Sequence, residues 1–266
     1  MKERNIFSRN NQKVKDLLES EKKHQVMIFE GNKLVVDILE RRIPVDLLII
    51  DEGHFPDCPA VIEKHRHRIT ECWKVSPSVM GKISRLKTPP PLMAVIPARS
   101  KPRRTLDGYQ SIFVLEGIQD PSNCGAVFRS AAAFAIDCVV LTGSSVTPGN
   151  RKFLRAAQDS VFLVDSIYFP KTLDFIEQID PGRFFIYTTS SHGGRGETVP
   201  VTRLQVPCVV VFGSEGSGLK PEILRKYSVL QIPHESRIES LNLAVSVSIV
   251  AFEIYQRKKG IDSRTR

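Results

Sequence analysis

Apolar positions along the first hundred residues alternate between two periods. "KVKDLLES" (13–20), "NKLVVDILERR" (32–42), "PAVIEKHRHR" (59–68) and "PSVMGKISRLK" (77–87) space them three and four apart and predict helices. Between them "QVMIFEG" (25–31), "VDLLIID" (45–51), "ITECWKV" (69–75) and "PLMAVIPA" (91–98) are short apolar runs that predict strands. "PARSKPRRTLDGYQ" (97–110) breaks the pattern with two prolines, a glycine and a run of cations. Alternation resumes with strands in "SIFVLEGI" (111–118), "CVVLTG" (138–143), "LVDSIY" (163–168), "RFFIYTTS" (183–190), "PCVVVFG" (207–213) and "SVLQIP" (228–233). Helices are expected after Asp120, in "NRKFLRAAQDSVF" (150–162), "TLDFIEQI" (172–179) and "PEILRKY" (221–227), and from Ser240 onward. Strands that are apolar throughout and separated by helices mark a mostly parallel sheet covered on both faces. The pattern therefore gives a small α/β domain over 1–98, a linker over 99–110 and a second α/β domain over 111–266.

Composition adds a direction to this frame. The 266 residues are 41% hydrophobic, enough for two cores, and 38 Lys and Arg against 29 Asp and Glu leave a formal charge of +9. A basic excess favours an anionic partner such as nucleic acid. The cations gather in "KHRHR" (64–68), "GKISRLK" (81–87), "RSKPRR" (99–104) and the tail "QRKKGIDSRTR", although a charge run is also what a solvated face looks like. Five cysteines without a C-x-x-C pair indicate neither a disulfide framework nor a zinc site, and no metal ligand cluster is evident. The first residues lack an apolar h-region, and the longest nearly apolar run, "LNLAVSVSIVAFEI", is too short for a membrane span. A soluble, cytoplasmic protein with no membrane partner is expected.

Candidate chemistry collects in three loops of the second domain, where strands lead into helices. In an open parallel sheet, ligands bind outside the carboxyl ends of the strands. "DPSNCGAVFR" places Asn123 near a helix N-cap, with Gly125 one turn below Arg129 on the same face. Gly125 then either makes room for a ligand under the guanidinium or allows close packing, with Arg129 bridged to a carboxylate. In "VVVFGSEGSGL", Gly213, Gly216 and Gly218 bring backbone close to a ligand or simply form a turn; neither a P-loop nor G-x-G-x-x-G is present. In "LQIPHESRIESLNLAVSVSIVAFEIYQRKKG", Ser240 is the expected N-cap of a helix that is apolar almost all round and ends on Arg257, Lys258, Lys259 and Gly260. Such a helix is either plain core or enclosed by the sheet and a partner subunit.

Asn123-x-Gly125-x-x-x-Arg129, Gly213-x-Glu215-x-x-Gly218 and Ile232-Pro233 followed by Ser240-Leu241-Asn242, in this order, resemble the three motifs of the SpoU (TrmH-like) family. These are RNA 2′-O-ribose methyltransferases of the SPOUT class. The first domain is similar to the ribosomal-protein-like α/β RNA-binding module that precedes the catalytic domain in many members. The resemblance implies a C-terminal trefoil-knotted domain, an exception to unknotted topology, with S-adenosylmethionine as cofactor and a homodimer that completes the site. By motif position it puts Gly213, Ile232 and Leu241 at the cofactor, and Asn123, Arg129, Glu215, Ser240 and Asn242 among catalytic and substrate-side residues. His234 stands where the family usually has Met, Ser236 where it has Gly and Leu243 where Val is common. The two-domain layout points to ribosomal RNA before transfer RNA. A fold-retaining RNA-binding protein without activity is the rival reading. A dinucleotide-binding oxidoreductase is a poorer one, because no Gly-rich fingerprint with a downstream acid opens either domain.

Overall fold

The computed structural model describes residues 1–54, 60–98, 105–190, 198–214, 216, 218–235 and 237–261. It divides into two compact units, residues 1–99 with 148–159, and residues 100–147 with 160–266. The second stretch of the first unit corrects the expected division: the helix at 151–157 follows a strand of the second sheet in sequence but packs in the first unit.

In the first unit a five-stranded sheet runs β1 (Lys2–Ile6), β4 (Ile69–Val75), β3 (Val45–Asp51), β5 (Leu92–Pro97), β2 (Val26–Glu30). The pairs β1–β4 and β3–β4 are parallel, and β3–β5 and β2–β5 antiparallel. β1 carries no apolar run, because "KERNI" has one apolar residue; its register is held by Ile6 and by the Arg4–Glu71 ion pair at 2.5 Å. Ile28, Ile49, Trp73 and Val95 form one core beneath α1 (Gln12–Lys22) and α4 (Pro77–Ile83), which contribute Val14, Leu17, Val79, Met80 and Ile83. The expected helix at 59–68 is the short α3 (Ala60–Lys64) and a 3-10 turn, and the helix α2 (Asn32–Glu40) lies where expected.

Within this unit α6 (Arg151–Ala157) is anchored by one buried guanidinium. Arg151 pairs through Nε and Nη2 with Glu21, and through Nη1 with Glu30 at 2.7 Å and the Ile83 carbonyl at 2.6 Å. Ser84 donates to the second Glu30 oxygen at 2.6 Å. Burial disfavours the Arg151 charge, and the two carboxylates more than offset it, so its pKa lies above the ordinary value.

The second unit is built on a seven-stranded sheet, β10 (Thr198–Pro200), β12 (Ser228–Gln231), β9 (Phe185–Thr189), β11 (Cys208–Phe212), β6 (Ser111–Glu116), β7 (Cys138–Thr142), β8 (Asp165–Phe169), with every pair parallel. Both faces of its centre are closed. Ile112, Val114, Val209 and Val211 join a core with Phe175 of α7 (Thr172–Ile176), and on the other face Phe113 meets Phe212 edge-on at 5.2 Å. The mostly parallel α/β architecture is therefore as the alternation predicts. Cys72, Cys124, Cys138 and Cys208 are buried, and Cys58 lies outside the described residues. Among the described residues no helix is long and apolar enough to cross a membrane.

Candidate active site at the carboxyl ends of the second sheet

β6 ends at Glu116, and Gly117 turns the chain with φ of +67° toward α5 (Pro121–Ala133). The cap of α5 is Asp120, which accepts from Ser122 N–H at 2.9 Å ahead of Pro121. Asn123 thus sits in the first turn rather than at the cap: an Asp-Pro pair sets the start, because the carboxylate suits the N-terminal dipole and proline suits N1. Two serines that sequence reasoning passed over fix this loop. Ser145 Oγ lies 2.9 Å from the Leu115 carbonyl and 2.7 Å from that of Thr142, and accepts from Ile118 N–H at 3.0 Å; Ser144 accepts from Gln119 Nε2 at 3.1 Å. Their only signal was the "TGSS" turn after β7. A Cβ built on Gly117 would stand 3.7 Å from Ser144 Oγ and 4.0 Å from Ser214 Cβ, so the loops after β6, β7 and β11 adjoin.

The loop after β11 closes on itself. Ser214 and Gly218 form an antiparallel bridge, with Gly218 N–H donating to the Ser214 carbonyl at 2.9 Å and Gly218 at φ of +62°. A Cβ on Gly213 would meet the Gly218 carbonyl carbon at 2.4 Å and Leu219 N at 2.6 Å. Gly213 is therefore required by the loop's own backbone, a different reason from the ligand approach read in the sequence. Gly213→Ala is expected to cost about 1–3 kcal/mol, the range for forced overpacking, and to lower Tm by a few degrees in a melt followed by circular dichroism. Gly216→Ala, whose Cβ meets nothing within 4 Å, should leave Tm unchanged. Glu215 and Ser217 of this loop, and Ser236 of the next, lie outside the described residues.

After β12, Ile232 is half-buried and its carbonyl accepts from His234 Nδ1 at 2.8 Å. That contact fixes Nδ1 as the protonated ring nitrogen, because a carbonyl can only accept. Ser240 is exposed and precedes the helix; the cap of α9 (Leu243–Lys259) is Asn242, whose Oδ1 accepts from Ala244 N–H at 2.9 Å and Val245 N–H at 3.4 Å. An Asn two residues on outcompeted Ser240, since its longer side chain reaches both orphan amides. Leu241 is half-buried between them.

α9 lies along α5 in the same direction. Asn242 Nδ2 donates to Asn123 Oδ1 at 3.4 Å, the Ser130 and Ser248 hydroxyls are 2.7 Å apart, and Phe134 meets Phe252 at 5.7 Å. The far end is fastened by Lys258, which donates to Ser111 Oγ, the Ala135 carbonyl and Asp137 at 2.7–2.8 Å. Burial pushes the Asp137 carboxyl up, but the Lys258 hydrogen bond and the Gln110 N–H overcome this and hold it below its ordinary value. The structure thus brings Asn123 and Asn242 together where two helix N-termini meet. Arg129 is separate: six residues past Asn123, it lies about a third of a turn round the helix, exposed, while Gly125 is buried. Among the described residues no ion pair or hydrogen bond of the Arg129 side chain is found. Cys124, beside Asn123, is no nucleophile, since burial, with a smaller push from Asp120, raises its thiol to about 12. Among the described residues no group of three or more His, Cys, Asp or Glu is placed to hold a metal.

Residues 110–252, which span all three loops, match the SpoU rRNA Methylase family, and residues 11–94 match the MRM3-like substrate binding domain. The chain is 27% identical over 258 residues to the 23S rRNA (guanosine(2553)-2′-O)-methyltransferase RlmP of Bacillus subtilis, covering 94% of this chain and 98% of that protein. It is 30% identical over 154 residues to the 23S rRNA (guanosine-2′-O-)-methyltransferase RlmB of Haemophilus influenzae, covering 56% of this chain and 61% of that one. The crystal structure of an AdoMet-bound rRNA methyltransferase from Sinorhizobium meliloti superposes with a TM-score of 0.78 at 25% identity, over 96% of this chain and 98% of the other.

Proposed function

Because the chain belongs to the SpoU rRNA methylase family, we propose that it methylates a ribose 2′-hydroxyl of ribosomal RNA, with S-adenosylmethionine as the donor. The observation that carries this reading is the match over residues 110–252, which includes the Asn123–Arg129 helix, the Gly213 loop and the Asn242 cap. When bound, S-adenosylmethionine supplies an electrophilic methyl group on a sulfonium. The loops at Gly213, Ile232 and Leu241 fit such a cofactor: they follow the carboxyl ends of parallel strands and present backbone groups, and the tight Gly213–Gly218 turn sets one wall. Transfer between a sulfonium and a hydroxyl needs no metal.

Asn123 and Asn242 orient the ribose from the joined helix N-termini, with Ser240 in the loop before Asn242, and Glu215 is assigned to the substrate side by its motif position alone. Arg129 clamps a phosphate or the developing alkoxide. It does not take the proton, because a guanidinium stays protonated in proteins; a phosphate oxygen or solvent accepts it. A homodimer completes the site. In its support, α9 exposes Val245 at 48% and Phe252 at 46%, seven residues apart and hence on one face, and Arg129 stands away from the asparagine pair of its own chain. The catalytic unit folds as a trefoil knot through its C-terminal loops, the first unit with its "KHRHR" and "GKISRLK" cations holds the RNA, and the protein acts in the cytoplasm.

The test is to incubate the purified protein and S-adenosylmethionine with unmodified 23S, 16S and transfer RNA transcripts and analyse nuclease digests by mass spectrometry. A 2′-O-methylated nucleoside in a ribosomal RNA is expected. Methylation of a base, or of transfer RNA alone, would refute the reading.

A further inference from the structure

The second sheet has a notch at its other end. β12 starts at Ser228 opposite Tyr187, two residues after β9 has begun at Phe185, so the first residues of β9 have no β12 neighbour. A cleft of about 440 Å³ opens there, within the range of small-ligand sites. Its lining combines flat rings with cations: Phe185 and Tyr187 from β9, Arg203 and Gln205 from the segment before β11, and Lys226 and Tyr227 from the end of α8 (Pro221–Lys226). No Asp or Glu lines it. Phe185 is 45% exposed, costly for an aromatic ring without a partner. Lys226 Nζ sits 5.6 Å from the Tyr227 ring centre, and Tyr187 hydroxyl accepts from Gln205 N–H at 3.1 Å, which braces the floor. Arg203, Gln205 and Lys226 are exposed at the rim.

We infer that this cleft receives an unpaired nucleotide of the RNA substrate. The inference rests on the proposed RNA activity and adds a contact that the catalytic loops do not make. Aromatic faces accept a base whatever its identity, and flanking cations accept its phosphates. Gln205 offers both a donor and an acceptor to a base edge. β12 separates the cleft from the Ile232 loop by four residues, about 13 Å of strand. An RNA whose target ribose enters at the carboxyl ends is therefore gripped a second time across the sheet, which sets the approach of its single-stranded flank.

The experiment uses the full chain and a fluorescein-labelled oligouridine carrying 4-thiouridine. Phe185→Ala should weaken anisotropy-measured binding about tenfold, the scale of one lost stack. The charge-reversed pair Arg203→Glu with Lys226→Glu should weaken it further and make the dependence of log affinity on log salt shallower by about 2. Photocrosslinks should map to Phe185 or Tyr227. Cofactor affinity and Tm serve as folding controls and should be unchanged. Binding within twofold of the unaltered protein in both variants, or crosslinks elsewhere only, would overturn the cleft while leaving the methyltransferase reading intact, as would recovery of the cleft as a protein contact with no RNA crosslink. If the unaltered protein binds no RNA and methylates none, both readings fall.

Discussion

Arg129→Ala is expected to reduce methyl transfer by about 10²–10³-fold, the scale of losing one electrostatic donor at the developing charge, with Tm and cofactor affinity nearly unchanged. The side chain is exposed and makes no ion pair among the described residues, so its removal leaves no buried group stranded. Arg129→Lys should recover little, because lysine keeps the charge and loses the planar fork that grips two oxygens. Single-turnover methylation on both variants, with a thermal melt, tests this. A destabilised alanine variant with a normal rate per folded molecule, restored by lysine, would make Arg129 a structural residue.

The largest stability effect should come from Arg151. Arg151 is 6% exposed and its guanidinium pairs with Glu21 and Glu30, and Glu30 is itself 6% exposed. Arg151→Ala should therefore cost about 3–5 kcal/mol, because it strands a buried carboxylate. Arg151→Met combined with Glu30→Gln should lose much less than Arg151→Met alone, since the more deeply buried carboxylate is gone and Glu21 keeps Arg85 at 3.6 Å. Urea melts on the three variants decide this; equal losses in the single and double variants would mean that packing, not charge, holds α6.

The sequence made the alternation legible because buried parallel strands carry near-continuous apolar runs, and the three site loops because glycines and asparagines mark strand-to-helix turns. Positions that depend on competition between neighbours were not legible. Ser240 and Asn242 are both good caps, and only the geometry of two amides within reach of one side chain selects Asn242. Asn123 yields the cap of α5 to Asp120 for the same kind of reason. Lys258 reads as a cation suited to a helix end, but its value lies in three acceptors, one from β6 and two from the turn between α5 and β7. Arg151 reads as a helix residue of the second domain, because nothing local tells which sheet a helix will cover. β1 is mostly polar, and its partner β4 lies far along the chain.

The placement of α6 bears on how the chain is made. Residues 1–99 contain every strand of the first sheet, yet the arginine that neutralises Glu21 and Glu30 is encoded beyond β6, α5 and β7. On a translating ribosome at roughly 5–20 residues per second, residue 159 follows residue 99 by about 3–12 s. During that interval Glu30 has no guanidinium partner and must stay in water, so the nascent first unit remains open or loosely closed until α6 arrives. A gene fragment that stops at the linker encodes a unit lacking its counter-charge, and it should express as a partly melted species unless the 148–159 segment is supplied in trans.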